Sequence, residues 1–125
     1  MKPLLNFLKK NFPLILIVVL GAIFRFYKLS LLPPSLNWDE ASHGVNAYSL
    51  LKTGRDEWGL SWPLIFRAFG DYKLPVYIYT SILPIWIFGL NAFAIRFVTA
   101  LAGTLAIFGL YLLVRQLFSS PKLAL

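Results

Sequence analysis

The chain has 125 residues, of which 58% are hydrophobic and 17% aromatic, with a mean hydropathy of +0.70. An ordinary water-soluble domain runs nearer half apolar, so the composition points to an integral membrane protein. The net charge is +7, but the basic residues are scattered and flank apolar runs, so anionic lipid headgroups rather than nucleic acid are the expected partner.

Lys2, Lys9 and Lys10 precede an apolar run that begins at Phe12 and continues through Arg25 and Lys28 to Leu32, with no small-x-small cleavage site after it. About 21 residues rising 1.5 Å each cross roughly 30 Å of hydrocarbon. A first transmembrane helix is therefore expected over 12–32, with residues 1–11 cytoplasmic, Arg25 and Lys28 snorkelling to headgroups, and Pro33-Pro34 ending the span. Residues 33–95 then form an external loop. In it, Asn37 stands three residues before Glu40 in the form of a capping box, which predicts a short helix from Trp38 to about Lys52. Val45, Tyr48 and Leu51 recur on one face of that helix, as on a membrane-surface helix, and Thr53-Gly54 ends it. Trp58 and Trp62 suit the headgroup level.

Residues 74–90 carry no charge but include Pro75, Pro84 and Gly89, which predicts an interfacial or re-entrant helix, with a third span as the alternative. The better apolar run lies between Arg96 and Arg115 and predicts a second transmembrane helix over 96–116, with 117–125 cytoplasmic. Two spans place Arg115 and Lys122 on the same side as Lys2, Lys9 and Lys10, as the positive-inside rule favours. Ala102, Ala106 and Gly109 lie on one face of that helix, a stripe that admits a second helix or reflects only the abundance of small residues in membrane helices. The expected fold is thus all-α: two transmembrane helices joined by an external loop bearing surface helices.

All five acidic residues fall between positions 39 and 71. Without cysteine there are no disulfides and no thiolate metal sites, and His43 cannot build a zinc site without carboxylate help. No glycine-rich phosphate loop is present. Adjacent carboxylates on a helix, as in Asp39-Glu40, converge poorly on a cation. No metal site or cofactor is expected, although a divalent cation stays open.

Three segments carry a resemblance: Asn37-Trp38-Asp39-Glu40, Asp71-Tyr72-Lys73-Leu74-Pro75, and Phe88-Gly89-Leu90-Asn91-Ala92-Phe93-Ala94-Ile95-Arg96-Phe97. In order and spacing they resemble the start of the polyprenyl-phosphate-sugar-dependent glycosyltransferases of the C-type fold, in the branch of protein O-mannosyltransferases and lipid A aminoarabinose transferases. The resemblance runs from the first apolar segment to Phe118. It implies a multi-pass enzyme of the bacterial plasma membrane that moves a sugar from a polyprenyl-phosphate donor to a protein, lipid or glycan acceptor on the extracytoplasmic face. It implies Asp39 as the acceptor-side base, Glu40 as a second catalytic acid (or only the capping partner of Asn37), and Lys73 at the phosphate of the lipid carrier. Leu74 replaces the first proline of the family's usual Lys-Pro-Pro. Trp38 is either an acceptor or sugar contact or an interface anchor. Arg96 reads as structural and His43 as an exposed helix-face residue. Family members are several hundred residues long. The chain is therefore expected to be an amino-terminal piece, incomplete without downstream helices or an oligomer. The competing readings are a small non-catalytic membrane structural or assembly subunit and a lipid-phosphate-binding protein.

Overall fold

The structure is a computed structural model and describes residue 9 and residues 11–118. In chain order the elements are α1 (Phe12–Phe26), α2 (Trp38–Thr53), β1 (Phe66–Ala68), β2 (Asp71–Lys73), α3 (Pro75–Phe88) and α4 (Ala92–Phe118). The chain forms two compact units, one from the residues up to Tyr27 with those from Ala100 onward, the other Lys28–Thr99.

In the Lys28–Thr99 unit, α2 starts on the capping box that the Asn37–Glu40 spacing predicts. The Glu40 amide donates to Asn37 Oδ1 at 2.7 Å and the Asn37 amide donates to Glu40 Oε2 at 3.1 Å, which satisfies two otherwise unpaired helix-start donors. Gly54 ends the helix at φ 69°, in the left-handed region a glycine enters without Cβ strain. The buried face of α2 is Ala47, Leu50 and Asn46, whereas Val45 and Tyr48 are exposed. Ala47 and Leu50 pack with Phe66 of β1, Ile78 and Ile85 of α3, and Ala94 and Ile95 at the start of α4. Asn46, fully buried, donates to Ser42 O and Glu57 Oε1 and accepts from the Glu57 amide. It fastens the loop after α2 to the helix. Beside it, Asp56 Oδ1 accepts from the Trp58 and Leu60 amides and folds that loop on itself.

β1 and β2 pair antiparallel with Ala68 opposite Asp71. The two residues between them, Phe69 and Gly70, have φ 51° and 79°, the pair of positive angles a tight hairpin turn requires. α3 begins with Pro75 at its first turn and ends at Gly89. Asn91 then starts α4, accepting from the Ala94 amide and donating to Phe88 O.

In the other unit, α1 and α4 touch at glycines. A Cβ on Gly21 would collide with the Ile107 side chain, and one on Gly103 would crowd Arg25. Arg25 itself donates to Gly21 O at 3.1 Å. The small-residue stripe Ala102, Ala106 and Gly109 is exposed.

The architecture corrects the expected all-α, two-span fold. A two-stranded sheet is present, and among the described residues one helix, α4, is long and apolar enough to cross a membrane. Only 11% of its most apolar window is buried, and the finding supports membrane association but not a multi-pass chain. The span expected over 12–32 fails because the helix stops at Phe26. Tyr27 turns extended and Lys28 takes φ 49°. The Leu31 and Leu32 amides then bond back to Lys28 O, forming a turn. That leaves α1 with 15 residues, about 22 Å at 1.5 Å each. The segment expected over 74–90 is a helix of 14 residues, likewise too short for the alternative third span. α4 starts at Ala92 rather than 96, because Asn91 caps it. The cytoplasmic assignments of 1–11 and 117–125 fall almost wholly outside the described residues.

Candidate active site

The capping box fixes the first turn of α2, where Trp38, Asp39 and Glu40 follow one another. The hairpin turn brings β2 against that turn. Lys73 Nζ reaches Asp39 Oδ1 at 3.0 Å and Asp71 Oδ2 at 3.0 Å. The lysine side chain is 18% exposed, against 52% for Asp39 and 71% for Asp71. Its two carboxylate partners raise the Lys73 pKa, Asp71 foremost. The hydrogen bonds from Lys73 and from the Tyr72 amide hold Asp71 below its ordinary value.

These groups line a cavity of ≈ 250 Å³ whose walls are Trp38, Asp39, Ala68, Phe69, Asp71 and Lys73. The Trp38 and Phe69 rings stand 6.0 Å apart at 49°. Two carboxylates, one ammonium and two aromatic faces thus meet in one small cleft. Carboxylates accept bonds from hydroxyl or amino groups, the ammonium offers a point charge to an anion, and the rings offer flat apolar surface.

Glu40 belongs elsewhere. Its Oε1 accepts from Arg96 Nε at 2.8 Å and its Oε2 from Arg96 Nη2 at 3.0 Å, in addition to the capping bond. Arg96 also donates to the carbonyls of Leu29, Pro33 and Ser35, and is 4% exposed. The guanidinium chiefly keeps the Glu40 carboxyl below its ordinary pKa, against a smaller opposing effect of burial. With both oxygens engaged, Glu40 anchors the start of α2 rather than facing the cleft. Arg96, read as structural from the sequence, is the hub of that anchor.

His43, one turn after Asp39, is half-buried with its ring edge-on to Tyr77 at 4.9 Å. Burial lowers its pKa, although Asp39 and Glu40 oppose the effect. It therefore differs from the expected exposed helix-face residue. Among the described residues no three His, Cys, Asp or Glu side chains cluster as a metal site.

The structure brings together three of the four predicted site residues, Trp38, Asp39 and Lys73, and separates Glu40. Three wall residues escaped the sequence reading, Ala68, Phe69 and Asp71. Asp71 stood in a quoted motif. Phe69-Gly70 carried a turn signal in its glycine, masked by strands of only three residues each. No protein-family model, curated protein or solved structure matches this chain.

Proposed function

We propose that the cleft is the acceptor side of a membrane glycosyltransferase that uses a polyprenyl-phosphate sugar, with Asp39 as the base and Lys73 at the carrier phosphate. One observation carries the reading. Two of the three segments that resemble the C-type glycosyltransferases, around Asp39 and around Lys73, are distant in the chain yet meet at 3.0 Å in one aromatic-walled cleft. An apolar, exposed α4 supports membrane association of the chain, and the extracytoplasmic face is the side the resemblance implies.

The reaction is an inverting displacement. The acceptor oxygen or nitrogen forms a bond to the anomeric carbon while Asp39 takes its proton. The bond from that carbon to the phosphate oxygen breaks on the opposite face, and the polyprenyl phosphate leaves with the electron pair. A carboxylate serves as base only if it reaches the acceptor, and Asp39 is half-exposed on the cleft wall. To meet the charge that develops on the phosphate leaving from the opposite face, Lys73 gives up its contact with Asp39. Trp38 and Phe69 supply the faces on which a sugar or acceptor ring lies.

Membranes from cells expressing the chain in a full-length context, given polyprenyl phosphate bearing a radiolabelled sugar, test this. Asp39→Asn is expected to lower label transfer by about 10²–10⁴-fold, the usual contribution of a positioned base. Transfer that is unchanged in the variant rejects Asp39 as the base.

A further inference from the structure

The unit that contains α1 offers a second site of a different kind. Ile107 lies over Gly21 and Arg25 over Gly103, so α1 and the later part of α4 run in opposite directions. Carrying that register toward the start of α1 leads to a cavity of ≈ 390 Å³ between the two helices, within the range of about 300–1,000 Å³ usual for ligand sites. Leu14, Ile15, Val18, Phe108 and Leu112 form its apolar walls. Leu14 is buried, whereas Phe108 and Leu112 are exposed, so the cavity is a slot with a closed back and an open side.

Asn11 and Arg115 put polar groups at the end of the slot near the start of α1. Val19, Asn11, Tyr111 and Arg115 complete the lining, and Lys9, two residues before Asn11, is exposed. No Asp or Glu occurs before position 39 or after position 71, so this unit has no acidic side chain of its own to offer these cations. Water fills an apolar slot poorly, for want of hydrogen-bonding partners, and hydrocarbon fills it well. An anion at the basic end completes the match, in the manner of basic pockets between membrane helices that take lipid headgroups.

We propose that the slot between α1 and α4 holds an acyl chain of an anionic phospholipid whose phosphate lies on Arg115 and Lys9. Hydrocarbon packs along Leu14, Val18 and Phe108, and the headgroup emerges where the charges are. This site stands independently of sugar transfer and requires only that α4 lies in a membrane.

The full chain, carried from membranes into bilayer nanodiscs of phosphatidylcholine with a minor fraction of phosphatidylglycerol, is released for native mass spectrometry. The wild-type chain is expected to retain one phosphatidylglycerol in preference to phosphatidylcholine. Val18→Trp fills the slot and is expected to lower retention at least tenfold. Arg115→Gln is expected to retain both lipids alike. Ala102→Trp, on an exposed position outside the slot, is expected to behave as wild type and controls for misfolding. The proposal is overturned if wild type shows no preference for the anionic lipid, or if Val18→Trp retains as much as wild type. It is equally overturned if the retained mass is a second copy of the chain that Val18→Trp displaces.

Discussion

Arg96 sits in an apolar helix, is 4% exposed, and spends its donors on Glu40 and three carbonyls. A buried charge survives in such a place only when it is paired and hydrogen-bonded. Removing one partner therefore costs more than the pair contributes, because the other is left stranded. Arg96→Met is expected to destabilise the Lys28–Thr99 unit by about 3–5 kcal/mol, read by denaturant unfolding in detergent. A loss below about 1 kcal/mol would assign the anchor to packing alone. His43 tests the same region through pH. Its pKa is lowered on folding from 6.5, chiefly by burial, so below about pH 6.5 the unfolded chain binds the proton first and stability falls as pH drops. His43→Gln is expected to flatten the stability profile from about pH 6.5 downward, and an unchanged slope there would mean that another group titrates.

At the scale of elements, the hairpin carries Asp71 and Lys73 to the cleft, and its turn places Phe69 in the left-handed region. Such a conformation costs a non-glycine residue roughly 1–2 kcal/mol, and the ring contact with Trp38 offsets part of that cost. Phe69→Gly is expected to raise amide-exchange protection across 66–73, whereas Phe69→Val, β-branched and ill suited to φ 51°, is expected to lower it. The same element shows where sequence reading reaches its limit. Short strands give no alternation to detect, and the turn glycine alone did not separate a hairpin from an irregular loop. α2 was legible because its capping box is local, with donor and acceptor three residues apart. The length of α1 was not, since Lys28 turns the chain within a run whose apolar pattern continues to Leu32. Hydropathy records what the membrane tolerates, and a left-handed residue leaves no mark on it.

For the molecule as a whole, the apolar composition reappears as surface rather than core. Leu101, Leu105, Leu110 and Leu113 of α4 are all exposed, and so much apolar surface needs lipid or another helix against it. The compact Lys28–Thr99 unit holds the cleft on a small core of Leu50, Phe66, Ile78, Ile85 and Ile95. The meeting of Asp39 with Lys73 was open to the sequence only through the resemblance of their two motifs. Asp71 as the third charge, and Glu40's removal to Arg96, depend on tertiary contacts that no spacing reveals.

The most direct test of the cleft separates donor binding from transfer in one preparation. Photoreactive polyprenyl-phosphate sugar is added to membranes containing wild type, Asp39→Asn or Lys73→Gln, and cross-linked donor and transferred sugar are both counted. Asp39→Asn is expected to keep donor cross-linking and lose transfer, and Lys73→Gln to lose both. Donor binding that is the same in Lys73→Gln as in wild type, or transfer that survives in Asp39→Asn, would contradict the assignment and leave the Asp39–Lys73 pair as a structural tie between helix and hairpin.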